Sequence, residues 1–69
     1  DYVFNMALDS GRRPDAIDAT NRVVRELKPD TPSGIRRGMA QIKQYVDELE
    51  ATTKQKWQGV LDLYKAPRK

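Results

Sequence analysis

The stretch RPDAIDATNRVVRELKP, residues 13–29, decides the fold. It holds two short apolar runs, PDAIDA at 14–19 and RVVRELK at 22–28, parted by Thr20 and Asn21, which suit a turn. The second run is rich in β-branched valine, and both read as strands. Pro14 has no N–H to give a ladder, so it fits the first position of its strand or an edge. Side chains alternate along a strand, so Val24, Glu26 and Lys28 share one face and Arg25 takes the other. A hairpin lays the two runs side by side, which lets Asp15 and Glu26 approach each other. Two carboxylates and an ammonium group thus stand where a sheet wants packing.

Outward from this hairpin, the N-terminal side keeps the β pattern. YVFNMAL, residues 2–8, alternates Tyr2, Phe4, Met6 and Leu8 with Val3, Asn5 and Ala7, and is expected to form a strand ahead of an Asp9-Ser10-Gly11 turn. On the other side the period changes. PDTPSG, residues 29–34, carries a helix start: Thr31 or Ser33 can cap free N–H groups, and Pro32 suits the first turn. Ile35, Met39, Ile42, Val46 and Leu49 then recur at spacings of three and four, an apolar stripe on a helix running to about residue 52. WQGVLDLY, residues 57–64, returns to strand character, and residues 65–69 read as a flexible tail. The expectation is a single domain over residues 1–69 of the α+β or α/β class: a three-stranded meander, one helix, then a fourth strand. If the fourth strand lies parallel to the third, the helix is the crossover between them. One helix covers one face of the sheet. The other face is expected to meet a missing segment of a parent chain, a second copy or a partner.

Composition narrows the chemistry. With 69 residues the chain is one domain at most, and such a chain buries roughly 60% of the surface its unfolded form exposes. It has no cysteine and no histidine, which excludes disulfides and zinc sites of the Cys/His kind. Any metal must be held by oxygen ligands, which points to magnesium, calcium or manganese. A tryptophan, three tyrosines and a regular apolar pattern argue against disorder despite 33% charged residues. The formal charge of +3 suits a polyanionic partner, though weakly. No apolar run approaches the roughly 18 residues of a membrane span. The opening DYVFNMALDSG lacks the basic start and long apolar run of a signal peptide, and beginning mid-strand without methionine it reads as a piece of something larger.

Two carboxylates held together repel when both are ionised, and a divalent cation removes that cost. Such a cation between Asp15 and Glu26 would bind a phosphate oxygen and a water, lower the pKa of the water and stabilise charge building at phosphorus. Lys28 would orient the water or neutralise the same charge. Plainer readings stay open: Asp15 as a turn residue, Glu26 and Lys28 as a surface charge pair. Asp18 is a spare acid on the face opposite Asp15. On the helix, Gly34, Gly38, Gln41 and Tyr45 fall on one flank of the stripe at about 100° per residue. Glycines there cost helix stability, and close approach to the sheet or to a phosphate is a reason to keep them. Arg12, Arg13, Arg36, Arg37 and Lys43 are candidates for holding phosphates of a nucleic acid, with solvated surface charge as the alternative. Arg25, on the far strand face, is expected to meet a partner, and Trp57 to belong to the core or the sheet boundary.

Pro14-Asp15 followed by Glu26-Leu27-Lys28 resembles the signature of the PD-(D/E)XK superfamily, the restriction-endonuclease-like nucleases. The resemblance implies that Asp15 and Glu26 bind the metal, Mg2+ or alternatively Mn2+, and that Lys28 assists catalysis. One exonuclease-like branch carries Q-x-x-x-Y on the following helix, and Gln41-Ile42-Lys43-Gln44-Tyr45 is similar to it. That implies that Gln41 and Tyr45 face the site and touch substrate or the attacking water. The longer string over residues 11–64 resembles the C-terminal nuclease domains of bacterial polymorphic toxins. It implies a DNase effector released from a larger parent, delivered by a secretion system into the cytoplasm of a target cell, and paired with a cognate immunity protein. That family's core has a helix ahead of the first strand, so the chain is read as a partial restriction-endonuclease-like core lacking it. The competing functions are a nucleic-acid-binding module without catalysis and an interaction fragment, self-associating or completed by another chain.

Overall fold

A computed structural model of the chain describes residues 3–4 and 6–65. Its elements are β1 (Val3–Phe4), β2 (Ala16–Asp18), β3 (Val23–Pro29), α1 (Pro32–Thr53) and β4 (Gln58–Tyr64). The four strands form one sheet in the order β1-β2-β3-β4. β1 and β2, and β2 and β3, pair antiparallel; β3 and β4 pair parallel over seven residues. The expected meander, helix and fourth strand are all present, with α1 as the crossover.

The first two strands are shorter than expected. Met6, Ala7 and Leu8 leave the strand path, because Leu8 N–H donates to the Arg12 carbonyl at 2.7 Å and Gly11 N–H to the Leu8 carbonyl at 2.8 Å. The backbone there closes on itself instead of joining the ladder, with Gly11 at φ +90°, a conformation glycine adopts without a steric penalty. Tyr2, Asn5 and residues 66–69, to which strand and tail were also assigned, lie outside the described residues. β2 starts only at Ala16, after a buried Pro14. Its turn into β3 is held by Asp18, whose carboxylate accepts the backbone N–H of Asn21 at 3.1 Å and its side-chain amide at 2.7 Å. Those bonds, the side-chain one foremost, hold the Asp18 carboxyl below the usual range.

α1 begins as its sequence dictates. Thr31 is the N-cap, its hydroxyl accepting Gly34 N–H at 3.0 Å, with Pro32 following. It ends at Lys54, left-handed at φ 58°, whose N–H returns to the Glu50 carbonyl. The Trp57 ring N–H donates to Thr53 Oγ1 at 2.9 Å and its backbone N–H to Glu50 Oε2 at 3.0 Å, tying the helix end to β4.

The buried line of the helix shares only Leu49 with its apolar stripe. Its buried residues are Gly34, Gly38, Tyr45 and Leu49, whereas Met39, at the centre of the stripe, is 62% exposed. The reason is steric. A Cβ on Gly34 would collide with Pro29, and one on Gly38 with Leu61 and with Lys28 Cγ. The smallest residues let the helix come closest, so they occupy the middle of the contact and the stripe is turned toward β4. There Ile42 and Val46 cover Gly59, where they leave no room for a side chain. The core is correspondingly small: Ile17, Val24, Tyr45 and Leu49, flanked by Leu8, Val46 and Trp57.

The far face of the sheet keeps several large apolar side chains exposed. Phe4 is 71% exposed, Leu27 51%, and Tyr64 is also exposed. Arg25, expected to reach a partner from this face, is instead engaged within the chain. Its Nε and Nη2 donate to the two oxygens of Asp62 at 2.8 and 2.7 Å, a bidentate pair across β3 and β4.

Candidate functional site

The β2–β3 register sets the site. Ala16 pairs with Arg25 and Ile17 with Val24, so one further step brings Asp15 opposite Glu26. Alternation puts both on the face under α1, with Ile17 and Val24. Asp15 Oδ2 accepts Leu27 N–H at 2.6 Å, a side-chain oxygen continuing the ladder where the strand itself has stopped. Glu26 is buried, 4% exposed, and Lys28 Nζ lies 3.0 Å from its Oε2. The Lys28 stem reaches that position beneath Gly38, where the absent side chain leaves space.

Each carboxylate therefore has one oxygen anchored. Glu26 Oε1 is buried with no hydrogen-bond partner, and so is Gln41 Oε1; among the described residues these are the two buried side-chain polar atoms left in that state. Gln41 lies on α1 between Gly38, above Lys28, and Tyr45. Tyr45 is buried, and its hydroxyl is pushed up first by that burial, then by the negative charges of Glu26 and Asp15. The Arg12 guanidinium opposes this to a lesser degree. The phenol thus stays protonated at neutral pH and can donate a hydrogen bond, while Asp15, Glu26 and Arg12 all lie within electrostatic reach of it.

The basic candidates divide by position. Arg12 is on the loop before Asp15, its Nη1 3.6 Å from Glu48 Oε1. Arg37 is exposed and four residues before Gln41, hence on the same helix flank. Arg36 and Lys43 share the outward face of the helix, where Lys43 Nζ is paired with Asp47 at 2.9 Å. Arg13 is exposed on the loop. Asp18 is committed to the β2–β3 turn and stays away from the pair.

Among the described residues no group of three or more Asp, Glu, His or Cys side chains converges as a metal cluster. The two carboxylates nonetheless fit a hard divalent cation. The donor set is all oxygen, as magnesium and manganese require, and Glu26 Oε1 is an acceptor buried without a proton to bind. Water or phosphate oxygens would complete the coordination of such an ion.

Glu48 is a residue that the sequence reading passed over. Its carboxylate accepts Ser10 N–H at 2.9 Å and Ser10 hydroxyl at 2.6 Å, which holds its carboxyl below the usual range. A signal was present, since position 48 lies one turn beyond Tyr45 on the flank of Gln41, but nothing in the sequence links it to a serine 38 residues earlier.

Neither the curated proteins nor the solved structures gave a match. A scan against protein families matches residues 1–64 to Tox-REase-9, restriction endonuclease fold toxin 9. With nearly the whole length covered, the chain belongs to this family of toxins with the restriction endonuclease fold.

Proposed function

We propose that the chain hydrolyses phosphodiester bonds of nucleic acid, DNA in preference to RNA, with Mg2+ or Mn2+ held by Asp15 and Glu26. The observation that carries this reading is Glu26 buried with its Oε1 unpartnered and the Lys28 ammonium 3.0 Å from Oε2, beside Asp15, whose Oδ2 accepts the next residue's N–H, that of Leu27, at 2.6 Å. The cation, when bound, supplies Lewis-acid stabilisation of the phosphate and an activated water. Lys28, on the same strand face, neutralises charge building on the transferred phosphate or orients the water. Tyr45, kept neutral, acts as a hydrogen-bond donor and not as a base. Gln41 directs its amide at the water or the substrate from the neighbouring helix turn. Arg12, Arg13 and Arg37 hold phosphates beside the site, and Arg36 and Lys43 serve only a longer stretch of substrate that passes over the helix.

Family membership supports a toxin role. The proposal places the chain as an effector carried by a larger parent protein, delivered by a bacterial secretion system into the target cytoplasm and neutralised by a cognate immunity protein. No helix among the described residues is long and apolar enough to cross a membrane. The exposed apolar side chains Phe4, Leu27 and Tyr64 favour a second reading alongside the first, in which a partner or a further segment of the parent protein covers that face of the sheet.

The test is plasmid DNA with Mg2+, with and without chelator, for the chain and its Asp15→Asn and Glu26→Gln variants. Cleavage should need the cation and vanish in both variants while DNA binding persists. A module that merely binds would retain DNA and never cut it. Cleavage indifferent to chelator and to both substitutions would refute the assignment.

A further inference from the structure

Glu48 takes no part in the chemistry proposed above, yet it ties the loop that carries Arg12 to the helix that carries Tyr45. One carboxylate receives two bonds from Ser10, at 2.9 and 2.6 Å, and stands 3.6 Å from the Arg12 guanidinium. Within the loop, Arg12 N–H donates to the same Ser10 hydroxyl at 3.3 Å, and the Arg12 carbonyl accepts Leu8 N–H. Ser10 and Arg12 are thus bound to each other and, through Glu48, to α1. Downstream the chain runs at once into the buried Pro14 and then Asp15.

We propose that Glu48 is a positioning residue: it latches the Asp9–Arg12 turn onto α1 and so sets the Arg12 guanidinium at the mouth of the Asp15–Glu26 site to receive a substrate phosphate. This rests on Arg12 holding phosphate in the proposed nuclease. The latch has a counterintuitive consequence. An ordinary surface carboxylate repels a polyanion, so its removal tightens DNA binding. Removal of the latch carboxylate frees Arg12 and weakens binding instead, so the sign of the effect decides.

Binding of a short fluorescent DNA duplex is measured by anisotropy in chelator, where no metal-dependent cleavage interferes. The variants are Glu48→Gln, Ser10→Ala, Arg12→Ala and the Glu48→Gln/Arg12→Ala double variant, each checked by thermal melting. Glu48→Gln and Ser10→Ala should each weaken binding about three- to tenfold, and Arg12→Ala should lower the slope of log Kd against log salt by about one. Glu48→Gln should no longer weaken binding once Arg12 is gone. Ser10→Ala leaves the net charge unchanged and carries the test alone if Glu48→Gln fails to fold. Tighter binding by Glu48→Gln, additivity in the double variant, or no DNA binding by the parent chain would overturn the proposal. Failure of the nuclease reading looks different: no metal-dependent cleavage by any variant, with the predicted binding order intact.

Discussion

Replacing Glu26 by glutamine should stabilise the metal-free protein and at the same time abolish its response to divalent cations. Glu26 is 4% exposed and its Oε1 has no hydrogen-bond partner. A buried acceptor in that state costs about 1–3 kcal/mol, more when it carries charge. Against this stands the bond from Lys28 to Oε2 at 3.0 Å. A charge-assisted bond contributes about 1.5–3 kcal/mol in general. Here the Lys28 side chain is 22% exposed, so the ammonium recovers hydration once released, and a carboxamide oxygen still accepts from it. The net loss on that side is about 1 kcal/mol, the difference between a charge-assisted and a neutral-acceptor bond. The carboxamide also removes the buried charge, the costlier part of leaving Oε1 without a partner. The balance favours the variant by about 1 kcal/mol, which in a domain of this size raises Tm by about 4–8 °C. Thermal melts in chelator, followed by a Mg2+ titration, read both halves. The parent chain should gain Tm with cation by mass action, and the variant should not. A variant that melts below the parent in chelator, or that still responds to Mg2+, would refute the reasoning.

Two further outcomes follow from the packing and the charges. Gly38→Ala places a methyl against Leu61 and 2.9 Å from Lys28 Cγ; overpacking of about 1–3 kcal/mol outweighs the helix propensity gained, so melting should fall and metal-dependent cleavage should fall further because the Lys28 stem is displaced. Asp62, Asp18 and Glu48 each have a carboxyl held below its usual value, by Arg25, Asn21 and Ser10 respectively. A lowered folded-state pKa contributes stability that is complete above the unfolded value and disappears as pH drops through the folded one, so melting temperature should hold at neutral pH and decline below about pH 4. A melting temperature that stays flat from neutral pH to pH 3 would contradict that assignment.

The hairpin was legible because alternation carries the information. Once the Thr20-Asn21 turn is placed, the parity of positions 15, 17, 24 and 26 decides which side chains share a face, and the observed pairing of Ile17 with Val24 follows the same parity. The helix start was legible because Thr31 and Pro32 act locally. The rotation of α1 was legible only in part, through Gly34 and Gly38 as a line of close approach to the sheet. Apolar periodicity marks where hydrophobic groups lie on a helix, while the distance of approach is set by steric bulk, and at Gly34 and Gly38 the two criteria point to different flanks. The short first strands were hidden for a related reason: alternation in YVFNMAL cannot show that Leu8 and Arg12 bond to each other. Arg25 with Asp62 and Ser10 with Glu48 join positions 37 and 38 residues apart. Such pairs depend on how β4 and α1 register against the rest, which no local pattern encodes.

The small core explains why the proposed site lies where it does. A chain of 69 residues has one apolar interior, and here it contains Ile17, Val24, Tyr45 and Leu49. Tyr45 is at once a core side chain and the phenol held close to Glu26 and Asp15, so packing and chemistry occupy the same seam between β3 and α1. A carboxylate exposed on the far face would cost nothing to hydrate but would bind a cation only against full competition from water. Set under the helix, Glu26 is desolvated in advance, and its electrostatic hold on a cation strengthens as the local dielectric falls. The same desolvation makes the metal-free state less stable than an apolar seam would be. The glycines belong to this compromise: Gly38 gives up helix propensity so that Lys28 can run beneath the helix and offset part of the Glu26 charge. A sequence optimised for stability alone would replace Glu26, and that replacement would dismantle the arrangement on which the proposed hydrolysis depends.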